Sequence, residues 1–564
     1  MQTLSIKIVL LLTALALLVY IAGLPVPVMD IDAAQYASIS REMFVNHQYL
    51  TVLDRGENYL DKPPLLFWLS ALSYTLFGVS TIAYKLPSLL LTLLGFYATF
   101  RLGARLYDRR TGILSGALLA SCQAFIYFTS DVRTDADLAA SVIFAIGQIV
   151  EFTSTKKTRH FFLGFVGITC AMLAKGPIGL MVPFLALGSY FVGRRDFKML
   201  FKWYWLAGMA MVLVLLSPMI WGLYHQFGKE GIKFYFWTQS FGRLTGENAF
   251  RDSSGYFFFV HTFLWAFLPW MLIAYYGIGV NAVRIIKSLF PGSYNSLQKT
   301  LKTDKSEASF GREWLLMGGI VFPFIALSCS HYKLPHYIFV FFPLVAILTA
   351  QTIIELVDDP RKQRALKSFI TVQFVLSIGE WIFAGVCMIA FFPCSNVIVW
   401  LAVIFCASMT FNFTRKNNSA FIRLVLPSLW AILGVNLMLN VHFFPKLLAY
   451  QSGSAAAKIV RKNNIPKERF FAYRIQNHSA DFYIQRIIPC LDSAMLADTL
   501  RKGNSWIYTE EPGIALMRQM GYSPIVVDSI FHKHVTKVNA KFLFYKTRKS
   551  TLGKQYIVRV ERKI

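Results

Sequence analysis

Residues 203–221 read WYWLAGMAMVLVLLSPMIW, a run of 19 residues without a charged side chain. A helix of that length crosses the hydrocarbon core of a bilayer, which needs about 20 predominantly apolar residues. The composition of the whole chain agrees, since its 564 residues are 55% hydrophobic and 15% charged, whereas a soluble domain carries about 25% charged residues. We therefore predict a polytopic α-helical membrane protein.

Further apolar segments have the length and composition of candidate spans. In total we predict about thirteen transmembrane helices, at 6–22, 83–106, 113–130, 138–152, 161–174, 178–192, 203–221, 256–280, 314–330, 337–356, 369–391, 397–411 and 424–439. The first is expected to be a retained anchor, because no small-residue cleavage site follows it. The apolar segment 64–78 is too short to span, and we expect it to lie flat in the membrane interface.

Basic residues indicate the orientation of these spans. The chain carries 57 Lys plus Arg against 30 Asp plus Glu, a net charge of +27. With thirteen spans, one set of loops holds 21 Lys plus Arg and the longer opposite set holds 10. Loops rich in Lys and Arg stay in the cytoplasm, so the first set is cytoplasmic. The positive charge therefore reflects membrane orientation, and no nucleic-acid partner is predicted.

The C-terminal part differs in composition from the rest. We predict a transmembrane domain at 1–440, whose first outer loop at 23–82 holds interfacial helices, and a soluble domain at 441–564 outside the cytoplasm. In the soluble domain, short apolar runs at 470–475, 505–509, 524–527, 541–545 and 556–560 alternate with helical patterns at 493–502 and 513–520. Such alternation is typical of an α/β domain.

Charged residues gather in the outer loops, at the membrane surface. The first outer loop carries Asp32, which opens the helical pattern DAAQYASISREM, and the pair Asp61 and Lys62. Asp32 would either cap that helix or direct its carboxylate into a cavity above the membrane. Other outer loops contribute Asp131, Arg133, Asp135, Asp137, Lys175, Arg243, Glu247, Arg251, Asp252 and Lys333.

Carboxylates and cations on one rim suit a transfer reaction. A lipid-linked phosphate can leave against fixed cations while a carboxylate deprotonates or positions an acceptor group. For any single residue, the alternative is that it only faces water. His331 and His336 are five positions apart, which is a poor spacing for a metal pair, and we predict no metal site there.

Several short motifs occur together in the membrane part. They are DAAQYASISREM at 32–43, DKPPLLFWL at 61–69, RLYDRRTG at 105–112, KGP at 175–177 and KLPHYI at 333–338. Their combination resembles the bacterial aminoarabinose transferases, which belong with the protein O-mannosyltransferases to the GT-C membrane glycosyltransferases. The resemblance covers about residues 1–356. It implies transfer of a sugar from undecaprenyl phosphate to an acceptor on the outer side of the inner membrane, with inversion at the anomeric carbon.

The resemblance also implies roles for individual residues. The catalytic set is Asp32, Asp61 and Asp135, with Asp137 a less favoured register, and the set for the carrier phosphate is Lys62, Tyr36, Lys175, Arg243, Arg251 and Lys333. Arg251 stands where the family has a histidine, which argues against a zinc or histidine role. No cofactor is assigned, and a divalent cation is left open.

We predict on these grounds an inner-membrane glycosyltransferase. Its partners would be a polyprenyl-phosphate-linked sugar, a lipid or glycan acceptor such as lipid A, and membrane lipids. A transporter or flippase of a lipid-linked sugar would explain the spans and cations as well, but it predicts midplane charges, broken helices and paired repeats that the sequence does not show clearly. A protein O-glycosyltransferase and a membrane scaffold are further alternatives.

Overall fold

The computed structural model describes residues 6–239, 242, 254–289 and 307–561. Each predicted span falls on one helix or on two consecutive helical segments. The described α-helices up to residue 448 are α1 Ile6–Gly23, α2 Asp32–Asn46, α3 Leu65–Phe77, α4 Thr81–Leu106, α5 Arg109–Ala120, α6 Gln123–Ser130, α7 Thr134–Thr155, α8 Thr158–Lys175, α9 Ile178–Gly193, α10 Phe197–Leu200, α11 Tyr204–Lys233, α12 Phe258–Ala266, α13 Met271–Leu289, α14 Glu307–Ser328, α15 Phe342–Asp358, α16 Gln363–Val386, α17 Val397–Phe413, α18 Ala420–Met438 and α19 Phe444–Leu448. Short 3-10 or π segments precede or follow several of them, among them Pro335–Phe341, Cys387–Phe391 and Leu439–Phe443.

Length and composition identify the helices that could cross a membrane. Within the described residues there are six such segments, or seven when the bent pair α5 and α6 counts as one span. The six are Thr81–Leu106, Thr134–Thr155, Phe197–Thr238, Pro335–Asp358, Pro360–Phe391 and Ala420–Leu448. The chain is therefore a helical membrane protein, whereas the count of thirteen spans stays a prediction.

The predicted span 113–130 is not one straight helix. α5 and α6 meet just after Ser121 with a bend of 50°. The amide of Gln123 donates to the carbonyl of Leu268 at 3.1 Å, and the indole of Trp270 donates to the hydroxyl of Ser121 at 3.0 Å. A neighbouring segment therefore satisfies polar groups at the break, as the lack of water inside a bilayer requires.

Small residues set the close contacts between helices. A Cβ at Gly167 of α8 would lie 3.0 Å from the Cβ of Ala145 on α7. A Cβ at Gly222 of α11 would overlap the carbonyl oxygen of Leu50, in the first outer loop. Packing of small residues is a main source of helix association in membranes. It brings α11 directly against the loop that carries the predicted site.

The segment 23–82, predicted to be the first outer loop, contains α2, a short hairpin of β1 Leu53–Asp54 and β2 Glu57–Asn58, and α3. Tyr36, Ile39 and Met43 recur at helical spacing along α2 and are buried together with Phe67 and Tyr74 of α3. The 13 residues of α3 are fewer than a spanning helix needs. Its length therefore agrees with the expectation that 64–78 does not cross the membrane.

The C-terminal part has an α/β architecture. Its helices are α20 Ser452–Lys462, α21 His478–Ile484, α22 Ser493–Arg501, α23 Glu511–Gln519 and α24 Ala540–Leu543, and its strands are β3 Phe470–Tyr473, β4 Cys490–Leu491, β5 Ser505–Thr509, β6 Ile525–His532 and β7 Gly553–Val560. The sheet has the order β4-β3-β5-β7-β6, parallel among the first three strands and antiparallel at β7. One buried cluster contains α20 and α21, and a second contains α22 and α23.

One predicted strand, at 541–545, is wrong. The segment begins with the helix α24, because the side chain of Asn539 accepts a hydrogen bond from the amide of Phe542 at 2.9 Å and caps the helix. Arg548 then donates to the carbonyl of Phe542 at 3.0 Å. These contacts outweigh the β preference of the aromatic residues in this segment.

Candidate functional site

Asp32 stands at the start of α2. It is the first residue of the helix, and the residue before it, Ile31, makes no side-chain cap. The carboxylate of Asp32 forms an ion pair with the guanidinium of Arg133, and 42% of the Asp32 side chain is exposed. Of the two interpretations left open by the sequence, capping is therefore wrong. The carboxylate points to Arg133, at the junction of α6 and α7.

Arg133 connects three carboxylates at that junction. In addition to Asp32, its Nε donates to Oδ2 of Asp131 at 3.2 Å, and the charge of Asp135 acts on it. Asp131 is buried, and it interacts with the charge of Lys85. Arg133 is thus fixed from within the protein. The sequence placed it on the same face, but the predicted site did not include it.

Asp135 lies at the centre of a second group of charges. It forms an ion pair with Lys175, at the end of α8, and its Oδ2 lies 3.7 Å from Nε2 of His336. The Nζ atom of Lys175 also lies 4.3 Å from the centre of the Tyr337 ring. Residues from three distant parts of the sequence therefore meet at Asp135.

Asp137 has a different environment from Asp135. Its Oδ1 accepts a hydrogen bond from the hydroxyl of Ser88 at 2.7 Å, and it lies two positions after Asp135 along α7. No cation pairs with it among the described ion pairs. This geometry favours Asp135 as the aspartate of the site.

The first outer loop adds a cation and a hydroxyl group. Nζ of Lys62 donates to Oδ2 of Asp61 at 2.6 Å, and the charge of Lys62 also acts on Asp135. Tyr36 of α2 is buried, with its ring centre 5.9 Å from that of Phe67. Burial, with nearby acidic groups that include Asp61 and Asp135, raises the pKa of Tyr36. Its hydroxyl therefore stays neutral and can donate a hydrogen bond.

A small pocket lies beside Lys62, between the segment 50–64 and α11. Its lining is mostly apolar and aromatic: Leu50, Val52, Tyr59, Leu60, Lys62, Pro63, Pro64, Met219, Leu223, Gln226 and Tyr235. A cation at the edge of an apolar cavity is suited to a molecule with a negative group on a hydrocarbon chain.

Lys333, a further predicted cation, makes contacts of its own. Nζ of Lys333 donates to the carbonyl of Ser254 at 2.9 Å and lies 5.7 Å from the Tyr256 ring centre. Arg243 and Arg251 lie outside the described residues, as do Glu247 and Asp252. In the ranges that the structure describes, no three His, Cys, Asp or Glu side chains are grouped as a metal ion would require.

Sequence comparisons find a family model and several relatives. A family model described as dolichyl-phosphate-mannose-protein mannosyltransferase matches residues 61–221. The undecaprenyl phosphate-alpha-4-amino-4-deoxy-L-arabinose arabinosyl transferase of Edwardsiella ictaluri is 26% identical over 377 residues, which are 64% of this chain and 62% of the relative. The Pseudomonas aeruginosa protein of the same name is 26% identical over 330 residues, 57% of this chain and 55% of the relative. The chain thus spans less than two thirds of the length of these relatives.

Comparison with solved structures extends over almost the whole chain. The crystal structure of ArnT from Cupriavidus metallidurans bound to undecaprenyl phosphate matches 99% of this chain and 98% of its own, with a TM-score of 0.73 and 16% identity. The chain has the GT-C fold. The apo crystal structure of the same protein gives a TM-score of 0.72 at 17% identity. The resemblance to GT-C aminoarabinose transferases, indicated by the motifs, is thereby confirmed.

The GT-C fold brings most of the predicted site together. Asp32, Asp61, Lys62, Tyr36, Asp135 and Lys175 come from the first outer loop, α7 and α8 and meet on one rim. Arg133, His336 and Tyr337 join them without having been predicted as site residues. These three residues lie in or beside predicted outer loops, which is the only feature of the sequence that pointed to them. Their residue types alone did not distinguish them from residues that face water or support the fold.

Proposed function

We propose that this protein is a GT-C glycosyltransferase of the bacterial inner membrane. It transfers a sugar from undecaprenyl phosphate to an acceptor on the periplasmic side, with lipid A or another envelope glycan as the first candidates. The observation that carries the proposal is the convergence of Lys62 and Lys175 with Asp135, next to an apolar cavity that has Lys62 in its wall. The names of the relatives support the choice of carrier and of an aminopentose as the sugar.

The proposed topology has thirteen spans with a cytoplasmic amino terminus. The distribution of Lys and Arg supports it, since the loops assigned to the cytoplasm hold 21 of these residues and the opposite loops hold 10. In this arrangement α2, α3 and the site residues lie on the periplasmic side. Residues 441–564 form a periplasmic domain in contact with them.

The proposed reaction is a single displacement with inversion. An acceptor oxygen forms a bond to the anomeric carbon as the bond from that carbon to the phosphate oxygen breaks. The carrier leaves as a phosphate monoester and gains one negative charge. Lys62 and Lys175 would hold that phosphate, with Arg243, Arg251 and Lys333 as further candidates. Fixed cations that meet charge as it develops typically contribute a factor of about 10² to 10³ in rate each.

Asp32 is proposed to act on the acceptor. A hydroxyl acceptor would give its proton to the Asp32 carboxylate, whereas a phosphate acceptor needs no base and would only be oriented. The ion pair with Arg133 holds this carboxylate towards the junction of α6 and α7. Asp61 and Asp135 hold Lys62 and Lys175 in place through their ion pairs, and Tyr36 offers a hydroxyl donor.

The proposal is tested with the full-length protein in proteoliposomes that contain undecaprenyl-phosphate-linked 4-amino-4-deoxyarabinose and lipid A. We expect sugar transfer by the natural protein and a loss of about 100-fold or more in Asp32→Asn. The matched control is Asp498→Asn, which removes an exposed carboxylate paired with Lys502 in the C-terminal part and should leave the rate unchanged.

Two results would contradict the proposal. Full transfer by Asp32→Asn would remove that residue from the mechanism. Movement of the lipid-linked sugar across the bilayer without transfer to any of lipid A, other glycans or protein would indicate the transporter alternative.

A further inference from the structure

The C-terminal part holds the backbone just before Asp32. The side chain of Gln451 makes two hydrogen bonds to this segment: Nε2 donates to the carbonyl of Val28 at 2.9 Å, and Oε1 accepts from the amide of Asp30 at 2.9 Å. The hydroxyl of Tyr483 accepts from the amide of Val28 at 2.8 Å. A single buried glutamine thus bonds a carbonyl and an amide of the segment 28–30. This segment ends two residues before the proposed catalytic carboxylate.

The side chain of Asp30 adds a third contact to the same segment. Its Oδ2 accepts from the hydroxyl of Ser479 at 3.4 Å. Ser479 and Gln451 are themselves almost fully buried. The amide of Ala34, in the first turn of α2, donates to the carbonyl of Met29 at 3.0 Å. The backbone held by Gln451 is therefore joined directly to the first turn of the helix that carries Asp32.

A second group of contacts fixes the other side of α2. Nη1 of Arg55 lies 2.5 Å from Oδ2 of Asp481, and Nε2 of His478 lies 3.0 Å from Oδ1 of Asp54. The carboxylate of Glu42, in α2, accepts from the amide of Arg55 at 2.9 Å. Two loops that flank α2 are thus attached to the same short helix, α21, of the C-terminal part.

We infer that Gln451 is a positioning residue for Asp32: it fixes the backbone at 28–30 so that the carboxylate of Asp32 meets Arg133 and the acceptor. The inference rests on the proposed function and gives the C-terminal part a role in the reaction. Two contacts then fix the position of Asp32. Arg133 binds its carboxylate, and Gln451 holds the backbone that precedes it. A catalytic group displaced by about 1 Å can lose about 100-fold in rate.

The first test is Gln451→Ala in the full-length protein. We expect kcat for sugar transfer to fall about 10- to 100-fold, because Asp32 is no longer fixed, and the KM for the lipid-linked donor to change less than about 2-fold. The matched control is Asn539→Ala, which removes the cap of α24 in the same part of the chain and makes no described contact with residues 28–32. It should leave kcat and KM unchanged.

The conservative variant Gln451→Glu gives a readout that a purely structural role would not move. Ionised, the new carboxylate can accept from the amide of Asp30 but repels the carbonyl of Val28. Protonated, it can restore both hydrogen bonds. We expect the ratio of its kcat to that of the natural protein to rise as the pH is lowered from about 8 to about 5, near the range in which a buried glutamate becomes protonated.

Hydrogen exchange measures positioning without any substrate. In Gln451→Ala, the amides of residues 28–34 should exchange at least about 10-fold faster than in the natural protein, and Asn539→Ala should leave them unchanged. An unchanged kcat in Gln451→Ala, or a kcat loss with unchanged exchange at 28–34, would overturn the inference. If even the natural protein transfers no sugar, the proposed function fails, and exchange at 28–34 still decides whether Gln451 holds the segment.

Discussion

Asp135 and Lys175 form a buried ion pair, in which each charge neutralises the other. The effect of removing either charge on stability can therefore be predicted. The side chain of Asp135 is 3% exposed and that of Lys175 is 13% exposed. Removal of one member of a buried ion pair leaves an uncompensated charge and typically costs about 3 to 5 kcal/mol. In Lys175→Met, Asp135 keeps the charge of Lys62, so we expect the lower end, about 3 kcal/mol.

The reverse substitution, Asp135→Asn, leaves Lys175 in contact with the aromatic ring of Tyr337. Its Nζ lies 4.3 Å from the centre of the Tyr337 ring, a contact worth about 0.5 to 2 kcal/mol. We therefore expect a loss of about 2 to 3 kcal/mol. The double variant carries no unpaired charge, so it should be no less stable than either single variant. The resulting coupling energy is about 3 kcal/mol or more.

Thermal unfolding in detergent and sugar transfer are measured on all three variants. The Tm of the double variant should lie at or above that of Lys175→Met, while transfer should fall about 100-fold or more in every variant that lacks Lys175. A double variant whose Tm loss equals the sum of the two single losses would show that the pair is not coupled. Normal transfer by Lys175→Met would show that this cation does not bind the leaving phosphate.

Three further substitutions test separate parts of the molecule. Lys62→Met should reduce transfer about 10²- to 10³-fold, measured in proteoliposomes, because it removes the cation beside the apolar cavity; an unchanged rate would exclude Lys62 from the carrier site. Burial raises the pKa of Asp30 to about 6. The protonated side chain therefore stabilises the folded protein fully below the ordinary Asp pKa of about 4, and this stabilisation is lost as the pH rises through about 6. Asp30→Asn should therefore raise Tm at pH 7.5 but not at pH 4, and equal effects at both pH values would contradict the assignment. Both carboxylate oxygens of Glu380, in α16, are buried without a hydrogen-bond partner in the described part of the chain. Glu380→Leu should raise Tm at full transfer activity, because an unpartnered polar group is costly to bury, and a lower Tm would point to a partner of Glu380.

Periodicity and hydropathy predicted the helical segments well, because a membrane helix must be apolar over its own length. The strand at 505–509 was also predicted with its observed ends, since β5 is short and buried. The break in 113–130 could not be predicted, because it depends on contacts from Leu268 and Trp270, which are distant in sequence. The strand predicted at 541–545 failed because the cap by Asn539 decides that segment.

Residue type and loop position predicted several of the carboxylates and cations that lie close together, but not how they pair. The contact of Asp135 with Lys175 depends on the packing of α7 on α8, and that of Asp32 with Arg133 joins two loops 101 positions apart. Arg133 was not predicted as a site residue because an arginine between aspartates also suits a solvated loop. Gln451 had no sequence signal, since its importance comes only from the two backbone groups that it bonds.

Sugar transfer from a lipid carrier at the rim that holds Asp32 is tested most directly by mass spectrometry of lipid A and of the total envelope glycan. The samples come from cells with the protein, without it, and with Asp32→Ala in its place. We predict that one sugar-sized mass is lost from lipid A, or from one other glycan, both without the protein and in Asp32→Ala. Unchanged glycans in Asp32→Ala, together with accumulation of a lipid-linked sugar only in cells without the protein, would contradict transfer and indicate transport.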